Sequence, residues 1–577
     1  MRHKLRGLLP AIFLFALAGC GDGSVSESGR TAGSGTADTP GPSGTDERRL
    51  VFGITQYPST LNPNVESMTA KSVVLGMAVR ALTTVDHDWK VACSLCTELP
   101  TLENGRAELI ILDDGSEGMR LSWELRPGLA WGDGVPLTTG DFRFAWEVGR
   151  HPQSGAIAME MWRTIRDIEI IDERNMNFTL DRRGYGYNNL YPFTPLPEHL
   201  DRSVFEDAPA EYLNRSLYQT DPTNPGLYHG PYVISEVARG SHIGLVRNPH
   251  WAGKTPYFDE IVVRALERTT TLEANLLSGN LDMIFGELGL SIDQALAFER
   301  RHGDAYQVVY EPGLLYEHID LNLDNPILKD RRVRQALMYA IDREQMAAEL
   351  FGGRQPVAAT FMHPMDTPYT TEGVRTYSHD PERAAALLDD AGWPLGEDGI
   401  RRNAEGQRLQ LEIMTTAGAK LRELVQQVLQ SQWRSSGIDV RIRNEAPRIF
   451  FGETTRKREY EAMAMFAWAS APESTWRPVL HSSEIPTAEN NFAGQNYTGY
   501  ANPEMDELIV AIEDELDPEA RKDLWKRAQQ IYAEDLPVLP LYYRSNVHIM
   551  PTWLEGLRPT GHIISATTWV EDWSRAE

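Results

Sequence analysis

Two cysteines separated by two residues are the first candidates for chemistry in this 577-residue sequence. Cys93 and Cys96 form C-S-L-C, a spacing that fits a local disulfide, a thiol-exchange pair or half of a zinc site. Zinc would need two more ligands at suitable spacing, and the sequence offers none. No clear βαβ pattern, the usual setting of a thiol-exchange site, surrounds the pair. The spacing therefore favours a disulfide, with thiol exchange as the alternative.

Motifs of common catalytic and metal sites are absent from the sequence. It contains no G-x-x-x-x-G-K-[ST] phosphate loop and no H-E-x-x-H metal helix. The segment GSHIG at 240–244 places its serine one position too early for G-x-S-x-G. Adjacent carboxylates such as Asp389 and Asp390 are typical of a solvated surface in so acidic a chain. We therefore predict no catalytic residue, no metal and no cofactor.

A charge-poor stretch, FAWASAPES at 466–474, is the remaining candidate for a site. Alternating apolar residues predict strands at 409–414, 438–443 and 461–468, and the segments between them read as helices. Such a β-α-β-α-β run predicts parallel strands with right-handed crossovers. FAWASAPES then lies at the carboxyl end of a parallel strand, where open α/β sheets bind ligands. The stretch is either ordinary core or the wall of a pocket.

Other local signals predict the elements around this run. RRLVFGITQ, from residue 48, predicts a first strand, and LSWELR at 121–126 predicts another. Thr138 and Asp141 resemble a capping box at a helix start. Arg239-Gly240 separates two strands of a hairpin. Asp330 and Asp380 are expected to cap helices, the first with an apolar face that reaches Ile341.

The first 47 residues have the composition of a targeting segment and a tether. A basic start and a short apolar run end in LAGC at 17–20, which looks like a bacterial lipobox with lipid attached to Cys20. Cleavage before Cys20 would remove three basic residues and lower the formal charge from −26 to −29. Residues 21–47 are rich in Gly, Ser, Thr and Pro and read as a flexible tether. The acidic balance argues against a nucleic-acid partner.

Several segments, taken together, resemble a known family. They are LRPGLAWGDGVPLTTGDFRFAWE (125–147), GPYVISEVARGSHIGLVRNPHW (230–251), LLSGNLDMI (276–284), LNLDNPILKDRRVRQALMYAIDREQM (321–346), DPERAAALLDDAGW (380–393), NYTGYANPEMDELI (496–509) and LPVLPLYY (536–543). In this order, over roughly residues 50–575, they resemble the peptide/nickel family (family 5) of extracytoplasmic solute-binding proteins of ABC importers. The resemblance does not identify the ligand.

The resemblance implies an α/β fold: a two-lobed periplasmic-binding-protein clamshell (type II-like) with an additional inserted domain. The domains implied are a lipoprotein signal peptide at 1–19, a lipid-anchored tether at 20–47, lobe I at 48–80, 189–316 and 541–577, an inserted domain at 81–188, and lobe II at 317–540. The ligand would lie between the lobes, and closure would select the state that docks on a permease.

The resemblance also suggests ligand-binding residues. They are Ser67, Met68, Thr69, Trp468, Ala469, Ser470, Glu473, Asn496 and Tyr497. In peptide-binding relatives an aspartate follows the matching tryptophan and pairs with the ligand's ammonium group, whereas this sequence has Ser470 or Ala471 there. A buried ammonium without a counter-ion costs several kcal/mol. Either Glu473 replaces the aspartate, or the solute lacks a free amino end, is a sugar or is anchored elsewhere.

We therefore predict a lipid-anchored, monomeric receptor outside the cytoplasmic membrane. It would deliver a peptide, a peptide-like solute or an oligosaccharide to an ABC permease powered by separate ATPase subunits. The alternatives are a secreted lipoprotein hydrolase that uses the same cleft, and a thiol-active envelope chaperone built around Cys93 and Cys96.

Overall fold

The computed structural model describes residues 47–157, 159–366, 368–469 and 475–576. Its strands are β1 Arg49–Ile54, β2 Thr83–Val85, β3 Val91–Cys93, β4 Ala107–Ile111, β5 Glu117–Glu124, β6 Ile165–Ile170, β7 Asn175–Leu180, β8 Tyr232–Ala238, β9 His242–Arg247, β10 Glu260–Ala265, β11 Met283–Ile284, β12 Tyr306–Leu321, β13 Gln410–Met414, β14 Asp439–Ile442, β15 Met463–Ala469, β16 Val538–Pro551, β17 Leu554–Glu555 and β18 Ser574–Arg575.

The helices alternate with these strands along most of the described chain. They are α1 Thr69–Ala78, α2 Thr139–Arg150, α3 Met159–Thr164, α4 Glu198–Asp207, α5 Tyr212–Arg215, α6 Leu217–Thr220, α7 Thr269–Leu277, α8 Ile292–His302, α9 Arg331–Tyr339, α10 Arg343–Phe351, α11 Pro381–Asp390, α12 Lys420–Ser435, α13 Pro447–Ile449, α14 Arg477–Leu480, α15 Pro503–Asp514 and α16 Pro518–Asp535. A π-helical turn over Phe450–Thr455 continues α13.

A mixed sheet of ten strands runs through the described part of the molecule. Its order is β14-β13-β15-β12-β16-β11-β1-β10-β9-β8. The two longest strands, β12 and β16, pair antiparallel at its centre. They lie between a group of strands from residues 49–284 and another from residues 410–469. Most of the core lies in two large hydrophobic clusters, one around α1 and β1 and the other around α9 and α12.

The predicted β-α-β-α-β run is confirmed. Strand β13 pairs parallel with β14 on one side and with β15 on the other. Helix α12 makes the first crossover and buries Val425, Leu429 and Trp433. Strand β15 ends at Ala469, so the start of FAWASAPES lies at the carboxyl end of a parallel strand, as predicted.

The predicted caps and turns are also confirmed. The Thr138 hydroxyl accepts from the N–H of Gly140 at 3.2 Å, and the Asp141 carboxylate accepts from the N–H of Thr138 at 2.8 Å. Asp330 and Asp380 cap α9 and α11. Gly240 has φ +73° between β8 and β9, a conformation that favours glycine at a tight turn.

Two element ends differ from the sequence-based prediction. Helix α9 ends at Tyr339 instead of reaching Ile341, because Asp342 caps a new helix, α10, through the N–H of Gln345 at 2.8 Å. Strand β5 ends at Glu124 rather than residue 126, because its partner β7 begins opposite it at Asn175.

The predicted domain limits stay a prediction. A separate four-stranded sheet, in the order β4-β5-β7-β6, covers residues 107–180 and so falls inside the expected inserted domain. The predicted signal peptide and tether, with Cys20, lie outside the described residues apart from Glu47.

Candidate functional site

A cavity of about 550 Å³ opens between the start of α1 and the central strands β12 and β16. Its walls include residues 63, 64 and 66–69, part of α1, the loop at 560–566 and parts of both central strands. Ligand pockets for small molecules typically enclose roughly 300–1,000 Å³. The cavity is therefore large enough for a small organic solute.

Alternation along β12 and β16 decides which side chains face this cavity. Residues two apart on a strand share a face. On β12 the lining residues are Glu311, Gly313 and Leu315, together with Leu314, where the pairing with β16 is irregular. On β16 they are Arg544, Asn546 and His548.

The pairing of these strands is interrupted beside Arg544. Pro312 pairs with Ser545 and Tyr316 with Tyr543, so three residues of β12 lie opposite Arg544 alone. Bulges of this kind bend a strand and redirect its side chains, and they are common near functional sites.

The Arg544 guanidinium belongs to a buried charge cluster. Glu317 is fully buried and accepts hydrogen bonds from Arg544 and, at 3.0–3.2 Å, from Arg422. Burial alone would raise the pKa of Glu317, but the two guanidinium groups outweigh it and hold the pKa below its usual value. The cluster contains two cations and one anion, and Arg544 is its member on the cavity wall.

Glu311 stands on the same wall without a hydrogen bond or an ion pair among the described residues. Its side chain is half-buried, and burial raises its pKa. Its partner across the ladder is Asn546, and Arg544 follows one step along the same face of β16. The wall therefore carries a carboxylate and a guanidinium as diagonal neighbours.

Lys71 organises the opposite wall. Its ammonium group donates to the carbonyl oxygens of residues 62, 63, 65 and 66 at 3.1, 3.0, 2.6 and 2.6 Å. Burial lowers the pKa of Lys71 to about 8, so it is protonated at neutral pH. This donor holds the turn that leads into Ser67, Met68 and Thr69.

Three of the sequence-predicted residues, Ser67, Met68 and Thr69, line the cavity. Ser67 is exposed, while Met68 and Thr69 are half-buried. Met68 has an extended backbone at the N-cap of α1, directly before the helix begins.

The described part of FAWASAPES is divided between two environments. Ala469 lines the large cavity. Trp468 instead borders a second, very small cavity of about 10 Å³ and lies parallel to the His318 ring, 6.4 Å away. The Nε2 atom of His318 is 3.2 Å from the Asp320 carboxylate. Ser470 and Glu473 lie outside the described residues.

Asn496 and Tyr497 pack against neighbouring protein residues. The side-chain amide of Asn496 has no exposed surface and donates to the carbonyl oxygens of His481 and Tyr500 at 3.1 and 2.8 Å. Tyr497 packs against Trp468, with ring centroids 5.7 Å apart. Neither residue lines the large cavity.

Sequence reasoning missed Glu311, Arg544, Asn546 and His548. A weak signal was present in R-S-N-V-H at 544–548, a mostly polar run inside an otherwise apolar strand segment. The contribution of Glu311 depends on the register between β12 and β16, which no local pattern encodes.

Cys93 and Cys96 are joined by a disulfide. Among the described residues, no group of three or more histidine, cysteine or acidic side chains could hold a metal ion. The same residues contain no helix that is both long and apolar enough to span a membrane.

Comparison with known proteins identifies the family. Residues 114–485 match the model of "bacterial extracellular solute-binding proteins, family 5 Middle". The chain belongs to this family. The fold is accordingly a two-lobed clamshell, and the chain is a solute-binding receptor of the ABC-importer type.

Individual family 5 relatives match over nearly the whole chain. The oligopeptide-binding protein AppA of Bacillus subtilis (strain 168) is 26% identical over 557 residues, which cover 95% of this chain and 94% of AppA. The crystal structure of an oligopeptide-binding protein from Thermus thermophilus with a pentapeptide has a TM-score of 0.65 and 28% identity, covering 92% of this chain and 96% of that one.

A third relative has a different ligand. NikZ from Campylobacter jejuni, in complex with Ni(L-His), has a TM-score of 0.67 and 22% identity, covering 92% of this chain and 100% of that one. At this identity the likeness shows the fold alone. Within this family 5 fold, ligand identity must therefore be argued from the cavity itself.

Proposed function

We propose that this family 5 receptor binds a peptide or peptide-like solute between its lobes and delivers it to an ABC permease. The observation that carries the proposal is the cavity on the central strands, where Glu311 and Arg544 present opposite charges. Two relatives that bind oligopeptides support it. Asn546, which makes no side-chain hydrogen bond to other described residues, adds an amide suited to peptide groups.

Binding can be measured through the thermal unfolding of the purified full-length protein. The additives are pools of free peptides, end-blocked peptides, oligosaccharides and metal chelates. A solute at about 100 times its dissociation constant adds roughly 2.7 kcal/mol of stability. We expect peptides to raise the unfolding midpoint and to be recovered intact. A shift with sugars or chelates but not with peptides would contradict the proposal, and hydrolysed peptides would support the hydrolase alternative.

A matched pair of variants tests whether binding occurs in this cavity. Ser67→Trp fills the cavity at an exposed position where the serine side chain makes no hydrogen bond to other described residues. Ser431→Trp makes the same change on the exposed face of α12. We expect only Ser67→Trp to weaken binding. Equal affinities in the two variants would show that the solute binds elsewhere.

We further propose that the mature chain is anchored by lipid on Cys20 and works as a monomer outside the cytoplasmic membrane. The lipobox-like LAGC at 17–20 supports the anchor. In cells fed a labelled fatty acid, the protein should carry the label and sediment with membranes, and Cys20→Ser should do neither. Light scattering of the purified protein should give one chain per particle. Unlabelled protein would contradict the lipid anchor, and a stable dimer would contradict the monomeric state.

A further inference from the structure

A short segment between β7 and the cavity wall contacts two separate parts of the core. Residues 181–188 (DRRGYGYN) follow β7 and lead directly towards residues 191 and 192, which line the cavity. Tyr187 packs on the hydrophobic cluster around α1 and β1. Tyr185, only two positions earlier, packs on a different cluster, to which α15 and α16 contribute. We call residues 181–188 the strap.

Both ends of the strap are fixed to neighbouring residues of the same half of the chain. Near its start, the guanidinium of Arg183 lies 3.3 Å from the Glu117 carboxylate. Near its end, the side-chain amide of Asn188 donates to the carbonyl oxygen of Pro100 at 3.0 Å. The tip between these anchors, residues 184–186, reaches α15 and α16.

Arg521 of α16 receives the tip of the strap. Its guanidinium lies 4.4 Å from the centroid of the Tyr185 ring. Arg521 is only 7% exposed and donates to the carbonyl oxygen of Glu515 at 3.0 Å, which holds the guanidinium at the junction of α15 and α16. A Cβ atom on Gly184 would lie 3.8 Å from the Glu513 carbonyl oxygen, so the backbone of the tip also lies close to the end of α15. A cation over an aromatic face is attracted most strongly where water is excluded.

This contact joins two predicted domains of the clamshell. The strap lies in the predicted inserted domain, and α15 and α16 lie in predicted lobe II. A two-lobed receptor must open to admit a solute, and opening moves its parts as nearly rigid bodies about a hinge. The contact between Tyr185 and Arg521 must then break, and the glycines at 184 and 186 give the released tip conformational freedom.

Resting on the proposed function, we propose that the strap is a latch: Tyr185 seated on Arg521 holds the receptor closed, and its release lets the cavity open. The contact stabilises the closed conformation with or without a solute, so it raises the fraction of molecules able to retain one. The strap and the wall at Tyr191 and Pro192 are one continuous piece of chain. A solute lodged against that wall therefore favours the seated strap.

Small-angle X-ray scattering of the purified full-length protein without solute tests the latch. Tyr185→Ala removes the ring and should raise the radius of gyration above that of the parent, whereas Tyr185→Phe keeps the ring and should match the parent. Tyr257→Ala is the matched control, because it removes the ring of a similar pair with Arg48, 4.6 Å from the ring centroid, away from the strap. An unchanged radius of gyration in Tyr185→Ala, or an equal rise in Tyr257→Ala, would overturn the latch.

Peptide affinity gives a second readout. The probe is the pool of free peptides, and apparent affinity comes from the unfolding midpoint as a function of peptide concentration. Tyr185→Ala should weaken binding about fivefold, as expected for the loss of a partly buried cation–π contact, and Tyr257→Ala should not. Arg521→Met should also weaken binding, and the loss in the double variant should be smaller than the product of the two single losses, since both remove one contact.

Gly186→Ala tests the latch in the opposite direction. A Cβ atom there meets no atom of the described structure within 4 Å, so the seated strap can accommodate it. The alanine restricts the released tip more than the seated one and should strengthen binding about twofold. Weaker binding in this variant would count against the latch.

The outcomes separate the latch from the function on which it rests. If peptides bind Tyr185→Ala as tightly as the parent, the receptor function stands and the latch is wrong. The same holds if the losses in Tyr185→Ala and Arg521→Met multiply fully in the double variant. If Tyr185→Ala expands while no peptide binds the parent, the latch stands and the peptide receptor function fails.

Discussion

Acid should destabilise this receptor strongly, because four histidines are buried in neutral form. They are His229, His363, His548 and His562, each less than 10% exposed. Burial lowers the pKa of each to about 4 from an ordinary value of 6.5. Below about pH 6.5 the unfolded chain binds these protons and the native chain does not. Stability is therefore present above about pH 6.5 and is lost as the pH falls towards about 4.

The magnitude follows from these pKa values. Between about pH 7 and pH 5 each histidine removes about 2 kcal/mol of stability, and the four together about 7 kcal/mol. Asp141 has the opposite effect on stability. Burial raises its pKa to about 6, so the folded chain binds this proton more readily than the unfolded chain, which adds about 1 kcal/mol of stability over the same pH range. These five groups together remove about 6 kcal/mol, which is comparable to the whole stability of many proteins. Asp201, Asp282 and Glu311, whose pKa values are also raised by burial, reduce this loss.

Urea unfolding at pH 7 and pH 5, followed by tryptophan fluorescence and circular dichroism, measures this loss. His548→Gln should reduce the pH-dependent difference by about 2 kcal/mol. His250→Gln, at an exposed site, should leave it unchanged. A total difference below about 1 kcal/mol, or equal pH dependence in the two variants, would refute the reasoning.

Three further changes test the structure through urea unfolding and peptide binding. Arg422→Met leaves fully buried Glu317 with one guanidinium and should cost about 3 kcal/mol. Lys71→Met leaves four carbonyl oxygens without a donor, and should cost about 3 kcal/mol and weaken binding at least about fivefold. Cys93→Ser opens a short disulfide loop and should cost about 2 kcal/mol with peptide affinity unchanged.

Each change has its own control and contrary result. Arg120→Met and Lys329→Met repeat the first two substitutions at exposed sites and should be nearly neutral. Stability equal to the parent's in Arg422→Met would contradict the charge cluster, and full affinity in Lys71→Met would contradict its role at the wall. Loss of cellular function in Cys93→Ser, with affinity intact, would favour the thiol-active chaperone.

The sequence predicted local structure well because caps and turns act over a few residues. The capping box of Thr138 and Asp141 and the turn at Arg239-Gly240 are each determined by neighbouring residues alone. Ser67 and Ala469 were named as ligand-binding residues from family resemblance, and both line the large cavity.

What the sequence left undetermined depends on distant parts of the chain. Glu317 and Arg422 are 105 positions apart, and only packing brings them together. The prediction that Asn496 binds ligand stays a prediction; in the structure its side-chain NH2 group donates to two backbone carbonyl oxygens. The position of Glu311 opposite Asn546 follows from strand register, which is a property of the assembled sheet.

The two faces of strands β12 and β16 have different surroundings, the cavity on one side and the hydrophobic core on the other. Glu311, Arg544 and Asn546 face the cavity, whereas Val547 and Ile549 between and beyond them pack into a hydrophobic cluster. Substitution of Glu311 or Asn546 leaves that cluster intact, so the charge and shape of the cavity wall can change there without loosening the fold. The same two strands can thus act as a fixed frame, one face of which varies in charge and shape while the other holds the core.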